Sequence, residues 1–107
     1  MSTDYDVTLI ASDGTTTKVQ IIDSINPLPL SDRWTGDAAM LGSAGGVVAS
    51  WGTGNAVLHT GPGGAGNVTL EGFNKSTKTS DTGSGSKIND LGEFPDGDLT
   101  WTCNKVD

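Results

Sequence analysis

The chain has 107 residues, of which 34% are hydrophobic and 16 are glycine, and its formal net charge is −7. This length fits one domain with a single core, and so acidic a chain repels phosphate backbones instead of releasing counterions from them. We therefore exclude nucleic acid as a partner and expect the charge to favour solubility.

The only cysteine is Cys103, so an internal disulfide is excluded. The first twelve residues carry acidic side chains where a signal peptide has basic ones. No apolar stretch approaches the roughly 20 residues that cross a bilayer. We expect a protein that is made in the cytoplasm without an export leader and that has no membrane partner.

The first predicted element is a β-hairpin. Residues 5–12 and 15–23 are two runs rich in β-branched side chains, and Asp13-Gly14 separates them. An Asp-Gly turn between such runs is a strong hairpin signal. The side chains expected on one face are Val7, Leu9, Val19 and Ile21.

Residues 26–34 are predicted to form an extended arm, because the two prolines in this segment cannot donate to a sheet ladder. Leu28 and Leu30 lie two residues apart and share one side of an extended segment. They pack either on the domain's own core or on a neighbouring subunit. Trp34, at the end of the arm, is the tryptophan that we expect to be exposed for a partner. Residues 33–42 then predict a short strand or one helical turn.

The stretch 45–73 predicts three strands that organise the fold. One strand ends in Trp51, and the arms 55–60 and 67–73 form a hairpin across a glycine-rich loop at 61–66. Trp51 is in phase with the apolar residues before it, which predicts a place in the core. The hairpin side chains expected to face the core are Leu58, Val68 and Leu70.

Residues 74–86 contain no apolar side chain and predict a flexible, solvated loop. A short strand at 87–91 and a type I turn at 94–97 follow. Residues 98–105 alternate strictly and predict a strand whose inward side chains are Leu99, Trp101 and Cys103. The pattern as a whole predicts an all-β, single-domain antiparallel sandwich or small barrel of seven to eight short strands.

No motif in the chain predicts a catalytic, cofactor or metal site. Gly61, Gly63 and Gly66 have dinucleotide-loop spacing, but a strand follows them where that motif needs a helix. The tetrapeptide at 81–84 copies the active-site sequence of aspartic proteases, but no apolar strand precedes it. His59 and Cys103 supply at most two of the three or four ligands that zinc requires.

Residues 45–105 carry a loose family resemblance. The runs W-G-T-G-N-A-V-L, P-G-G-A-G-N-V-T-L and F-P-D-G-D-L-T-W resemble small tailed-phage virion proteins, which are short, acidic, glycine-rich β chains. The positions that carry the resemblance are Trp51, Gly52, Leu58, Pro62, Gly63, Gly64, Leu70, Pro95 and Gly97. The resemblance implies a β-sandwich accessory protein that binds a capsid or tail surface in many copies per particle.

The leading hypothesis is therefore a non-enzymatic virion structural protein, most simply a capsid decoration or stabilising protein. We expect it to be multi-copy or homo-oligomeric, to contact the particle through Leu28, Leu30 and Trp34, and to cover exposed strand edges there. The alternative is a small carbohydrate-binding module that uses Trp34 or residues 74–86 as its platform. A small hydrolase would need two carboxylates in one cleft.

Overall fold

A computed structural model describes residues 2–24, 32–43, 47–61, 66–73, 82–88 and 92–106. Within these ranges the chain forms eight antiparallel strands that close into a barrel, with one short helix. The strands are β1 (Ser2–Ala11), β2 (Thr16–Ser24), β3 (Asp32–Gly36), β4 (Val47–Gly52), β5 (Asn55–Thr60), β6 (Gly66–Glu71), β7 (Thr82–Ile88) and β8 (Gly97–Val106). The helix α1 (Ala38–Leu41) lies between β3 and β4.

Strand order in the barrel follows strand order in the chain, and β8 returns to pair with β1. The all-β prediction is confirmed in its barrel form, because the strands make one closed sheet instead of two packed ones. Closure also pairs each described strand on both sides, so the expectation of strand edges that need covering is wrong. A closed barrel removes edges altogether.

The β1–β2 hairpin is confirmed, and its register explains which side chains face inward. Val7 lies opposite Val19, and both are buried. The turn is held by the Asp13 carboxylate, which accepts a hydrogen bond of 2.8 Å from the Thr15 backbone N–H. Gly14 supplies the positive φ of 90° that this turn needs.

Side chains fill the interior of the barrel. Eight strands enclose a space just wide enough for their inward side chains. Trp34 and Trp101 are both fully buried there, and Leu58, Val68 and Leu70 lie in the same core as predicted. The interior is therefore a packed core.

Strand β7 begins five residues before the short strand predicted at 87–91, and residues 89–91 lie outside the described ranges. The sequence indicated a flexible loop through residue 86, but residues 82–88 pair with both β6 and β8. The inward positions Gly83 and Gly85 carry no side chain because neighbouring atoms, the Trp101 ring at Gly83 and the Thr69 carbonyl at Gly85, use that space. A Cβ on Gly83 would lie 2.6 Å from two atoms of the Trp101 ring. The glycines that suggested mobility therefore let the barrel close around an indole.

The helix α1 and residues 92–96 close one end of the barrel, which we call the helix end. Residues 33–42 form both of the predicted alternatives, since β3 runs into α1. Asp37 caps α1 by accepting from the Ala39 N–H, and Gly42 ends the helix with φ of 71°. The N–H of Phe94 donates to the Met40 carbonyl, and Phe94 is buried. The 92–96 segment is thus bonded to the helix.

Lys87 ties the helix end to the barrel interior. Its side chain is 1% exposed, and its Nζ donates to the Phe94 carbonyl at 2.6 Å and to the Asp96 carboxylate at 2.8 Å. The lysine stem occupies an inward position while the ammonium reaches polar partners at the rim. An ion pair of this kind fixes the position of the closing segment.

Aromatic side chains gather towards the opposite end. Trp51 stacks on Phe73, with ring centres 5.6 Å apart and planes 13° apart. Tyr5 and Trp101 each meet Phe73 edge-on, at 5.2 and 5.1 Å. Trp51 is half-buried and donates through Nε1 to the buried Asp32 carboxylate. The tryptophan thus packs against the core, as its phase predicted.

Candidate functional site

The three residues predicted to contact a partner do not form one site in the structure. Leu28 and Leu30 lie outside the described residues, so their contact with a partner stays a prediction. Trp34 is fully buried, and its Nε1 donates to the His59 carbonyl at 3.1 Å. It lies opposite Ile21 on the inward phase of β3. The expectation that Trp34 is exposed is wrong, because strand alternation turns it into the core.

The outward side chains of β4 to β7 offer a different surface. Two adjacent rows of outward side chains cross these strands. In the first row Ser50 lies opposite Val57, Val57 opposite Thr69, and Thr69 opposite Ser86. We call this surface the neutral wall. Its members are Val48, Ser50, Val57, His59, Asn67, Thr69, Ser86 and Ile88.

The neutral wall carries two exposed apolar side chains. Val48 is 40% exposed and Ile88 is 48% exposed, and no other large hydrophobic side chain among the described residues is classed as exposed. Both belong to one row, in which His59 lies opposite Asn67 and Asn67 opposite Ile88. A single exposed apolar residue needs no explanation. Val48 and Ile88, however, lie on opposite sides of the same uncharged surface.

The wall also lacks carboxylates, although the chain as a whole has 13 acidic residues. Its nearest charged neighbours by register lie at its borders. Arg33 on β3 pairs with Val48, Asp98 on β8 pairs with Ser86, and Glu71 lies at the far end of β6. Partner surfaces are typically depleted of charge at their centre and polar at their rim. The wall has this distribution.

A hydrogen bond between two reactive side chains lies within the wall. The Ser50 Oγ and the His59 Nε2 are 2.8 Å apart, and the pair is partly buried. The sequence motifs predicted no catalytic site, and this pair is not part of a recognisable motif. The signal was the tight β4–β5 turn, since a two-residue loop places Ser50 opposite Val57 and His59 two residues further on the same face.

Among the described residues, two pairs of carboxylates line grooves on the outer surface. Glu71 and Asp98 line one groove beside β6, β7 and β8, and Asp6 and Asp37 line another beside β1, β2 and β3. All four side chains are exposed. Catalytic carboxylates flank a bound substrate in a shaped cleft, and these grooves give no such enclosure.

The remaining motifs take the structural roles that their surroundings predict. Gly61 has φ of 73° and Gly66 begins β6, so the glycine-rich run links two strands. Residue 81 lies outside the described part, and Thr82 begins β7. His59 faces outward on β5, whereas Cys103 packs against the core. Across the described ranges, no three His, Cys, Asp or Glu side chains come together as metal ligands.

The one helix found in the described ranges, α1, has four residues, and no helix there is long and apolar enough to span a membrane. Comparisons with protein-family models, curated proteins and solved structures found no match to this chain.

Proposed function

We propose that this chain is a non-enzymatic structural protein of a virus particle, in the manner of a capsid decoration protein, and that it docks through the neutral wall. The observation that supports a surface role most directly is the filled interior. Trp34, Trp101 and Lys87 occupy the space in which a small barrel would hold a ligand. A binding function therefore falls to the outside.

Charge supports the choice of the wall over the other outer surfaces. A docking partner that approaches the β1–β3 side meets Asp6 and Asp37, which lie in one groove. A partner that approaches the wall meets no carboxylate among its eight members, and the nearest ones, Glu71 and Asp98, lie at its border. Desolvating a charge without a counter-charge costs more than it returns. The wall is the outer surface on which an uncharged, partly apolar patch of a capsid subunit loses least on contact.

The virion assignment rests on the resemblance of residues 45–105 to small tailed-phage virion proteins and on the acidic, glycine-rich composition. The predicted arm supports the same role in a second way, because Leu28 and Leu30 belong to a chain segment between β2 and β3. Arm and wall together offer two contacts per copy. Linked contacts of this kind raise the affinity of a multi-copy protein for a repeated surface.

The test is binding to capsids of the virus whose genome encodes the chain, after the capsids are depleted of it. Co-sedimentation gives the affinity and the number of copies bound. The double variant Val48→Asp/Ile88→Asp places two carboxylates in the wall. We expect at least about 30-fold weaker binding, since leaving a charge buried and unpaired at an interface costs about 2 kcal/mol or more. Leu30→Asp tests the arm separately.

The matched control is Thr100→Asp/Asn104→Asp, which adds the same charge to exposed outward positions of β8. It should bind as the unmodified chain does. Circular dichroism and thermal midpoints check that each variant folds. Unchanged binding by both the wall variant and Leu30→Asp, or no binding by the unmodified chain, would refute the proposed function.

The carbohydrate-binding alternative loses one of its two platforms in the structure. Trp34 is fully buried and cannot stack on a sugar. The other platform, residues 74–86, is described only in part, and the described part is strand β7. We do not propose this function.

A further inference from the structure

The Ser50–His59 pair has a chemical capacity that docking does not require. A serine hydroxyl becomes a useful nucleophile when an adjacent base can remove its proton. The separation of 2.8 Å between Oγ and Nε2 is within the reach that general base catalysis needs. Both side chains are partly exposed, so a reagent from solution can reach them.

Two features of the fold hold this pair in place. The two-residue turn at Thr53-Gly54 sets the register of β4 and β5, and Gly54 supplies the positive φ of 75° in that turn. The backbone carbonyl of His59 accepts from the Trp34 indole inside the barrel. The imidazole is therefore attached to a strand that the core fixes, and its Nε2 side faces the serine.

The groups that face His59 from neighbouring strands are uncharged. They include Ser50 on β4, which is bonded to the ring, and Asn67 on β6, which lies opposite it. The charged groups nearest by register are Arg33, Glu71 and Asp98, which lie at the borders of the wall. The contact that the imidazole makes within the wall is therefore the one to Ser50.

We propose that Ser50 is a histidine-activated nucleophile that accepts an acyl group from an activated ester. Oγ attacks the ester carbonyl while His59 Nε2 takes the hydroxyl proton. The C–O bond to the leaving alcohol then breaks, and Nε2 returns the proton to that alcohol. The products are acyl-Ser50 and a free alcohol, with no change of oxidation state. Val48 and Val57 flank the pair and favour a short aliphatic acyl group.

The reaction should stop at the acylated serine. Rapid turnover in serine hydrolases needs donors that stabilise the oxyanion and a group that orients the histidine. The described side chains show no carboxylate hydrogen-bonded to His59, and Asn67, which lies opposite it, makes no hydrogen bond to its ring. The proposal thus describes a modification site, and it stands independently of capsid binding.

The test is labelling of the intact chain with p-nitrophenyl butyrate, followed by peptide mass spectrometry. We expect one butyryl group on Ser50 and a burst of p-nitrophenol that does not exceed one per chain. His59→Gln should slow the burst about 100-fold, which is the scale of general base assistance.

Ser84→Ala is the matched control, since Ser84 is an exposed outward serine on β7 without a histidine partner. It should label as the unmodified chain does, and Ser50→Ala should abolish the burst. Label spread evenly over exposed serines would overturn the proposal. So would a butyryl group on His59 itself, or an unchanged burst in His59→Gln, because either result would show that the histidine does not activate Ser50.

Discussion

The close contact between Gly83 and the Trp101 indole makes Gly83→Ala the sharpest test of how the barrel closes. Trp101 is fully buried, and its Nε1 donates to the Glu71 and Ser84 carbonyls at 3.0 Å each. An alanine Cβ at position 83 would lie 2.6 to 2.7 Å from three atoms of the indole. The contact is with a rigid ring, so the ring or the strand must move.

The size of the effect follows from three contributions. Forcing a methyl group into a packed core costs about 1–3 kcal/mol. A shift of the indole weakens its two hydrogen bonds, each of which contributes about 0.5–1.5 kcal/mol. Replacing glycine by alanine returns about 0.5–1 kcal/mol through backbone entropy. With both bonds lost the net loss is about 1–5.5 kcal/mol, a large part of the roughly 5–15 kcal/mol that stabilises a typical domain.

Urea unfolding followed by tryptophan fluorescence measures this loss, and the thermal midpoint should fall by about 4 °C for each kcal/mol. Ser84→Ala, the next residue and outward-facing, should change stability by less than about 0.5 kcal/mol. Trp101→Phe removes part of the ring and should make the alanine less costly in the double variant. A neutral or stabilising Gly83→Ala, as expected for an ordinary strand glycine, would refute the packing argument.

Two further predictions concern polar contacts. Lys87→Met should lower the free energy of unfolding by about 1–3 kcal/mol, because the Phe94 carbonyl loses a buried donor. The double variant Lys87→Met/Asp96→Ala should have nearly the same free energy of unfolding as Lys87→Met in urea, since Asp96 is 54% exposed and its charge needs no buried partner. A loss in the double variant equal to the sum of the two single losses would contradict this. Hydrogen bonds from the side chain and then the backbone of Thr15 hold the pKa of Asp13 below its ordinary value of 3.8. The charged form therefore stabilises the fold above that value, and the contribution disappears as pH falls through the lowered pKa. A carbon NMR titration of the Asp13 carboxyl should show a midpoint below the ordinary value, and Thr15→Val should raise that midpoint partway. An ordinary midpoint in the unmodified chain would contradict the role given to Thr15.

The predictable part of the fold came from strands whose periodicity carries its own signal. In β8, Leu99 and Trp101 alternate with polar residues and are buried as predicted. The β1–β2 hairpin was predictable for the same reason, with Asp13-Gly14 as its turn. Here local chemistry and the final fold agree, which is the condition under which a pattern identifies an element.

The errors arose where tertiary packing replaced the local pattern. Strand β7 has no apolar alternation because Gly83 leaves its inward volume to the Trp101 ring, and a Cβ on Gly85 would meet the Thr69 carbonyl before the Leu99 side chain. These neighbours belong to β6 and β8 and lie more than a dozen residues away in sequence, so no window around β7 contains the cause. Trp34 was misplaced for a related reason, since its phase depends on pairing with Ile21 across a segment that the sequence indicated as an arm.

The candidate site was also beyond the reach of a linear pattern. Val48 and Ile88 are 40 positions apart, and they share a row only because β4, β5, β6 and β7 pair in order. Sequence reasoning sought function in segments that stand out by composition, which were the proline arm and the polar loop. The wall has no unusual composition. Its character is the absence of carboxylates in an acidic chain, which becomes visible once the strands are in register.

Two basic side chains, Lys87 and Arg33, differ in whether they face the interior of the barrel or its outer surface. Lys87 points inward, and its ammonium binds Asp96 and the Phe94 carbonyl at the helix end. Arg33, by contrast, is exposed beside Val48. Burial of Lys87 thus removes one positive charge from a surface that is already acidic. The described outer face of β3 to β5 keeps the positive charge of Arg33, and the two rows of the neutral wall beside it contain no carboxylate. A partner with a neutral or acidic patch meets its least repulsive approach there. The filled interior leaves the outer surface for contacts with other molecules, and the uneven surface charge is the reason that we propose the wall within that surface.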